Sequence, residues 1–273
     1  MKILITGSNS GFGLLAALSF ARSGHPVVAT MRNLDKAGAL RSAAAQERLP
    51  VEIRRLDVTD AASVAEAIPE PLELDVVVNN AGFEVQSAME LVDDALLDRQ
   101  LDTNVRGPMR VLRRVLPAWR ERGSGVVVNV SSIAGLVAVP YGGAYAASKH
   151  ALEAMTEALH YEMSGFGLRF ALIEPGRFET EFHGNVLTPA GWETSAYFDR
   201  AMRFREGLGA LDPGGVKPDP QSVADAIVAA ATDPATPLRT IVGADAQAIA
   251  AVRAQGSFEQ FEAAMRAALN WWE

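Results

Sequence analysis

The chain has no cysteine. That absence excludes disulfides, thiol nucleophiles and cysteine-held metals. Histidine is almost as scarce: His25, His150, His160 and His183 are dispersed and show no zinc-ligand spacing, so no metal site is expected. Basic residues number 25 against 33 acidic ones, a net charge of −8, and form no stripe. Nonspecific binding to nucleic acid or to an anionic membrane is therefore not expected. No apolar run reaches the ~20 residues that a membrane span needs. The first strand-like segment starts at residue 2, which leaves no room for a signal peptide and makes the cytoplasm the expected location. Internal repeats of 20–50 residues and low-complexity segments are also lacking.

What is present is a regular alternation of strand-like and helix-like stretches from residue 2 to residue 174. Such alternation predicts an α/β fold, a Rossmann-type doubly wound parallel sheet with helices on both faces. The 273 residues fit one domain of this kind, residues 1–273. Long helices are predicted around residues 93–122 and 144–163, and a helical tail at about 246–273, ending in Trp271 and Trp272. Those indoles are expected to pack on the body or on a partner subunit.

Residues 2–6 (KILIT) are a short β-rich apolar run, and residues 14–21 are strong helix formers. Between them lie Gly7, Ser10, Gly11, Phe12 and Gly13. Gly7 permits a sharp exit from the strand; Gly11 and Gly13 let a ligand and the sheet approach the backbone. The free N–H groups of the helix start suit a pyrophosphate. The next strand ends at Met31-Arg32, where a mononucleotide fold meets the adenosine ribose. A guanidinium there forks onto a 2′-phosphate, so NADP(H) is expected ahead of NAD(H). The alternative is that Arg32 is an ordinary surface charge.

Tyr145-Ala-Ala-Ser-Lys149 places a phenol and an amine four residues apart in a helical segment. Four residues rise about 6 Å along one helix face, which makes the two side chains neighbours. A cation there is expected to lower the phenol below its usual value of about 10 and fit it for proton transfer to a carbonyl or from an alcohol.

In order along the chain, Thr6-Gly7-x-x-x-Gly11-x-Gly13, Asn79-Asn80-Ala81-Gly82, Ser132 with Tyr145 and Lys149, and Pro175-Gly176 resemble the short-chain dehydrogenase/reductase family from residue 2 to about 245. The likeness is to its single-domain branch, near the steroid- and retinol-active members. It implies that Tyr145 is the general acid/base, that Lys149 lowers its pKa and binds the nicotinamide ribose, and that Ser132 holds the substrate oxygen, with Ser131 as the competing hydroxyl. It implies that Asn104 holds a relay water; a helix-bend role can coexist with that. The cofactor contacts it implies are Ser10 and Arg32 at the 2′-phosphate, Asp57 and the Val58 backbone at the adenine, and Asn80, Ala81 and Gly82 along the cofactor. Thr180 would reach the carboxamide, in a segment with Pro175, Gly176 and Phe178. Asp57 also reads as a cap or turn aspartate.

The implied activity is NADP(H)-dependent interconversion of a carbonyl and an alcohol by hydride transfer. The resemblance also implies a homodimer or homotetramer built on the two long helices. A C-terminal lid is expected at about 181–217, where glycines and prolines mix with Phe182, Trp192, Tyr197, Phe198, Met202 and Phe204. These aromatics suit an apolar small-molecule substrate, or else anchor the lid; Phe83, Val137 and Tyr141 are further candidates for the pocket. Two other classes are weighed. A non-enzymatic NADP(H)-binding regulator has no need of Asn104, Ser132, Tyr145 and Lys149 together, and a dehalogenase-like relative has no need of the glycine cradle.

Overall fold

The computed structural model describes residues 1–71, 73–210 and 218–269. Seven strands form one all-parallel sheet: β1 (Ile3–Thr6), β2 (Val27–Met31), β3 (Val51–Arg55), β4 (Val76–Asn79), β5 (Gly125–Val130), β6 (Leu168–Pro175) and β7 (Arg239–Val242). Their order across the sheet is β3-β2-β1-β4-β5-β6-β7. The predicted fold class is what the chain adopts.

Strands β1, β4 and β5 are buried on both faces, which is why they read as unbroken Val/Ile runs rather than alternating ones. Successive residues feed opposite layers. Ile3 and Ile5 meet α1 (Gly11–Arg22), α2 (Gly38–Glu47) and α8 (Gln221–Thr232) through Ala16, Phe20, Leu40, Val223 and Ile227. Leu4, Val77 and Val127 face the other way, onto α3 (Ala61–Ala67) and α5 (Gly107–Arg122), whose Val111, Leu112, Val115 and Trp119 are fully buried. The order reverses between β1 and β4, so the carboxyl ends of these strands open a crevice, the usual ligand position in such sheets.

The long helix predicted at residues 93–122 is interrupted. It consists of α4 (Asp94–Leu101), a π-helical turn Asp102–Arg106, and α5. Asn104 sits in that turn, so its helix-bend role is real. The other long helix, α6 (Gly143–Met163), is continuous.

The segment expected to be an irregular lid is more ordered than its glycines and prolines suggest. It contains a 3₁₀ turn, Glu181–Asn185, and the helix α7 (Phe198–Ala210). Trp192 and Phe204 are almost fully buried, packed with Tyr141, Phe198 and Met202, so most of the lid aromatics anchor it to the body. The tail is helical as α9 (Ala244–Ala254) and α10 (Phe258–Leu269). The expected contacts of Trp271 and Trp272, and of the lid beyond residue 210, lie outside the described residues. Among the described residues no helix is long and apolar enough to cross a membrane.

Candidate active site

The turn from β1 into α1 is built by close approach of backbones. Gly7 (φ +70°) and Gly11 (φ +54°) hold left-handed conformations. At Gly13 a Cβ would stand 2.4 Å from the Gly7 carbonyl oxygen and 2.5 Å from Asn80 Nδ2, so only glycine fits. Asn80 locks the turn: its Nδ2 donates to the carbonyls of Thr6 (3.0 Å) and Gly7 (2.9 Å), and Thr6 Oγ1 accepts from the N–H of Asn80 and of Ala81, each at 3.0 Å. Ser10 caps α1 without a side-chain hydrogen bond, and no acid occupies the first turn. The helix start is thus open to an anion.

A cleft of about 560 Å³ runs from this turn across the strand ends. Of the predicted contacts, Gly7, Ser10, Gly11, Phe12, Arg32, Asp57, Val58, Asn80, Ala81, Gly82 and Thr180 line it. Gly13, Tyr145, Lys149, Pro175, Gly176 and Phe178 do not. Gly13 and Gly176 lie under it as packing glycines; the Gly176 position is closed by the Asp245 carboxylate, which accepts from Arg177 N–H at 2.7 Å. Phe178 is a core residue, edge-on to Phe12 at 5.6 Å, tying the glycine turn to the segment after β6. Asp57 plays the turn role: its Oδ1 accepts from Thr59 N–H (3.0 Å) and Oγ1 (2.7 Å). Burial pushes its carboxyl up, but those bonds and the Arg32 and Arg55 charges outweigh it and leave the pKa below the usual range.

Behind Phe182 of the cleft lining, whose ring lies 6.1 Å from that of Tyr145, α6 carries Tyr145 and Lys149. Lys149 Nζ stands 5.6 Å from the Tyr145 ring centroid and donates to the Val130 carbonyl at the end of β5 (2.8 Å). Ser132, two residues on, hydrogen-bonds the Tyr145 phenol and donates weakly to Pro175 O (3.5 Å). Its neighbour Ser131 is buried without a partner, so Ser132 is the serine that meets the phenol. Asn104 reaches the same place from the π turn. Its Nδ2 donates to Phe83 O (3.0 Å) and Ser148 Oγ (3.1 Å), and its Oδ1 accepts from Phe83 N–H (3.2 Å). Ser132, Tyr145, Lys149 and Asn104 thus converge where β4, β5 and β6 end.

The sequence profile of a family described as short chain dehydrogenase matches residues 1–190. The chain belongs to the short-chain dehydrogenase family. It is 39% identical over 240 residues to the uncharacterized oxidoreductase YusZ of Bacillus subtilis, covering 84% of each chain. It is 32% identical over 250 residues to a 3-ketodihydrosphingosine reductase of Bacteroides thetaiotaomicron, covering 88% of this chain and 87% of that one. Among solved structures, a short-chain dehydrogenase from Streptomyces avermitilis superposes with a TM-score of 0.80 at 32% identity over 97% of this chain and 98% of that one. A gluconate 5-dehydrogenase from Burkholderia cenocepacia, solved in complex with NADP and tartrate, superposes with a TM-score of 0.75 at 25% identity, covering 90% and 95%. Membership makes this chain an oxidoreductase of the class acting on CH–OH and C=O groups.

The electrostatics of this short-chain dehydrogenase differ from the sequence expectation in one respect. The Tyr145 phenol is raised above 10, not lowered: burial pushes it up, the Glu84 charge adds to that, and only the Ser132 hydrogen bond opposes them. Burial also pushes Lys149 down to about 8, against the pull of Glu153.

Several residues of the dehydrogenase site escaped sequence reasoning. Lys36 lines the cleft beside Arg32 and Asn33, and among the described residues neither cation forms an ion pair. Its signal was available: it lies four residues after Arg32. Arg99 stacks on Phe83 at 5.8 Å within the cleft lining. Buried Gln100 clamps the loop after β4, accepting from Val85 N–H (2.6 Å) and donating to Phe83 O (2.8 Å). Phe182, by contrast expected from the sequence among the lid aromatics, lies 6.1 Å from the Tyr145 ring. Leu187 joins the lid to that same loop, donating to Glu84 O (2.8 Å) and accepting from Gln86 N–H (2.9 Å).

Proposed function

We propose that the protein is an NADP(H)-dependent reductase of apolar carbonyl compounds, with Tyr145 as the general acid/base. The observation that carries this reading is the Tyr145 hydroxyl, bonded to Ser132 and backed by Lys149, at the carboxyl end of the sheet that also carries the glycine cradle. The residues fit a dinucleotide. Gly7 and Gly11, both left-handed, line the cleft, and the α1 start is open to a pyrophosphate. Arg32 and Lys36 offer charge for a 2′-phosphate, which favours NADP(H) over NAD(H). The NADP held by the Burkholderia relative supports the same choice.

The cofactor supplies or receives the hydride. The chain's own residues manage the oxygen and its proton. Ser132 Oγ and the Tyr145 hydroxyl hold the carbonyl oxygen by two hydrogen bonds. Tyr145 gives its proton to the oxygen as negative charge develops there, and the Lys149 ammonium stabilises the phenolate left behind. Lys149 has three N–H donors, of which Val130 O takes one, so two can serve the ribose hydroxyls. The Asn104 side chain is spent on Phe83 and Ser148 and keeps the loop after β4 in place, so a relay water would be held by its backbone carbonyl.

Phe83, Phe182 and Leu187 surround the mouth with apolar surface, which supports an apolar ketone or aldehyde. One relative is named a 3-ketodihydrosphingosine reductase, a name that fits a carbonyl substrate. We place the enzyme in the cytoplasm as a homodimer or homotetramer; light scattering of the purified chain tests the assembly. The decisive experiment follows nicotinamide absorbance over a panel of apolar ketones, aldehydes and alcohols with NADP(H) and NAD(H). Turnover with NADPH that vanishes in Tyr145→Phe supports the reading. Tight NADPH binding without turnover on any compound would point to a regulator instead.

A further inference from the structure

Behind the Tyr145–Lys149 pair lies a cluster of charges that the chemistry above does not use; two of its carboxyls, Glu153 and Glu174, are buried, while Arg239 and Glu157 reach solvent. Glu153 is one turn beyond Lys149 on α6, with its side chain 5% exposed. It pairs with Arg239 Nη1 of β7, which also donates to Glu174 Oε1 of β6 (2.6 Å), while Arg239 Nη2 donates to Glu157 Oε1 (2.8 Å). Glu174 is wholly buried and within hydrogen-bonding reach of Glu153. Glu153 Oε1 and Glu174 Oε2 are both buried without a partner among the described residues. Burial and the Glu153 charge push the Glu174 carboxyl up to about 7, against the pull of Arg239, and a proton on it satisfies the orphaned oxygens. With Glu174 neutral, the charges of Lys149 and Arg239 balance those of Glu153 and Glu157.

The packing leaves Glu153 little freedom. A Cβ at Gly135 would lie 2.8 Å from Glu153 Cγ and 2.9 Å from its Oε1, so the loop carrying Ser132 rests directly on this side chain. Other charged groups near α6 are engaged elsewhere. Asp98, Asp102, Arg106 and Arg110, on α4, the π turn and α5, pair with one another. Arg169 of β6 donates to carbonyls of α8 and just beyond it, and Asp245 of α9 accepts from Arg177 N–H. Glu84, on the lid side, faces Tyr145.

We propose that Glu153 is a positioning residue for the Tyr145–Lys149 pair: it is the counter-ion that keeps buried Lys149 an ammonium, held in place by Arg239 beside a neutral Glu174. Attraction across one helical turn opposes the burial that would otherwise strip the lysine of its proton. The inference rests on the reading above that Lys149 serves Tyr145, but its test needs no turnover.

The chain has only four lysines, Lys2, Lys36, Lys149 and Lys217, so lysine labelled with ¹³C at Cε yields a countable NMR spectrum of the full-length protein. Lys149→Arg identifies the Lys149 resonance. Its titration midpoint, about 8 in the native chain, is expected to fall by about one pH unit or more in Glu153→Gln. Glu174→Gln and Glu157→Gln, which keep the Glu153 charge, are expected to leave it within about 0.3 unit. An unmoved midpoint in folded Glu153→Gln overturns the proposal, as does a fall of equal size in Glu174→Gln. Should Glu153→Gln not fold, Glu153→Asp draws the charge back by one methylene and the midpoint falls by about half a unit; no fall there also overturns it. If the native enzyme binds NADPH but reduces nothing, the reading of activity fails while this titration still decides the role of Glu153.

Discussion

Gly13→Ala tests whether the cradle depends on close backbone approach. The added methyl would meet Gly7 O, a backbone atom, at 2.4 Å and Asn80 Nδ2, a side-chain end held by two hydrogen bonds, at 2.5 Å. Overpacking of this kind costs about 1–3 kcal/mol, here toward the upper value because one contact is backbone. Displacing Asn80 also weakens its bonds to Thr6 O and Gly7 O, at about 1 kcal/mol each. The better helix propensity of alanine returns about 1 kcal/mol. The net loss is about 3–4 kcal/mol, or about 6–8 °C in Tm for a chain of this length. Gly24→Ala is the control. Its φ of +81° imposes backbone strain, but nothing lies within 4 Å of the new Cβ, so about 1–2 kcal/mol is expected. Calorimetry and NADPH fluorescence titration read both variants. Gly13→Ala is expected to weaken NADPH at least about tenfold, since one charge-assisted hydrogen bond to phosphate is worth that much; Gly24→Ala should leave binding unchanged. If Gly13→Ala melts within about 2 °C of the native chain and binds NADPH equally well, the close-approach argument is wrong.

Tyr145→Phe is expected to lower kcat by about 10²–10⁴ while NADPH still binds, and full turnover in that variant ends the assignment. Arg32→Asp should raise the KM for NADPH by about 10–100-fold and shift preference toward NADH; unchanged preference places the phosphate site elsewhere. Because burial holds Lys149 at about 8 against 10.5, the unfolded chain keeps between those values a proton that the native chain has shed. Stability therefore rises with pH across that window by about 3 kcal/mol from this group. Urea titrations at its two ends should show a rise that Lys149→Met lacks, and equal slopes in both proteins contradict it. With Tyr145 raised, carbonyl reduction should be level from about pH 6 to about pH 8 while alcohol oxidation climbs with pH; an oxidation rate flat over the same range argues against a protonated resting phenol.

Much of the fold and most of the proposed catalytic groups were legible because their residue types answer local physical demands. Gly7 and Gly11 need left-handed backbone, Gly13 admits no Cβ, and the β4 and β5 valine runs need two covered faces. Tyr145 and Lys149 are set by helix spacing alone. What escaped depended on partners distant in sequence. Glu153, Glu174 and Arg239 read singly as an ordinary helix acid, strand acid and surface base; only the β6–β7 pairing and the packing of α6 bring them together. Strand β7 is four half-buried residues led by that arginine, too short and too polar for an apolar-run signal. Helix α7 was hidden by the glycines and prolines around it, whereas the break before α5 had a signal, since Asp102, Thr103, Asn104, Gly107 and Pro108 are weak helix formers.

The reversal at Tyr145 shows where spacing arguments stop. Four residues of helix bring Lys149 alongside Tyr145, as expected, but its Nζ lies against the ring and its bond runs to Val130 O. Proximity to the ring does not equal proximity to the hydroxyl, and against the cost of burying a phenolate near Glu84 only the Ser132 hydrogen bond pulls the phenol down. The same dry surroundings tax Lys149, so the two partners are pushed toward neutrality together. A protonated phenol is the form that can donate to a carbonyl oxygen, whereas taking a proton from an alcohol first requires the disfavoured phenolate. On the proposed role of Tyr145, desolvation alone then favours reduction, before any preference of the cofactor enters. Lysine then acts less as a standing depressant of the tyrosine than as a charge that gains effect as the phenolate forms, which requires it to be an ammonium at that moment, and the carboxylate one turn below it is placed to ensure that.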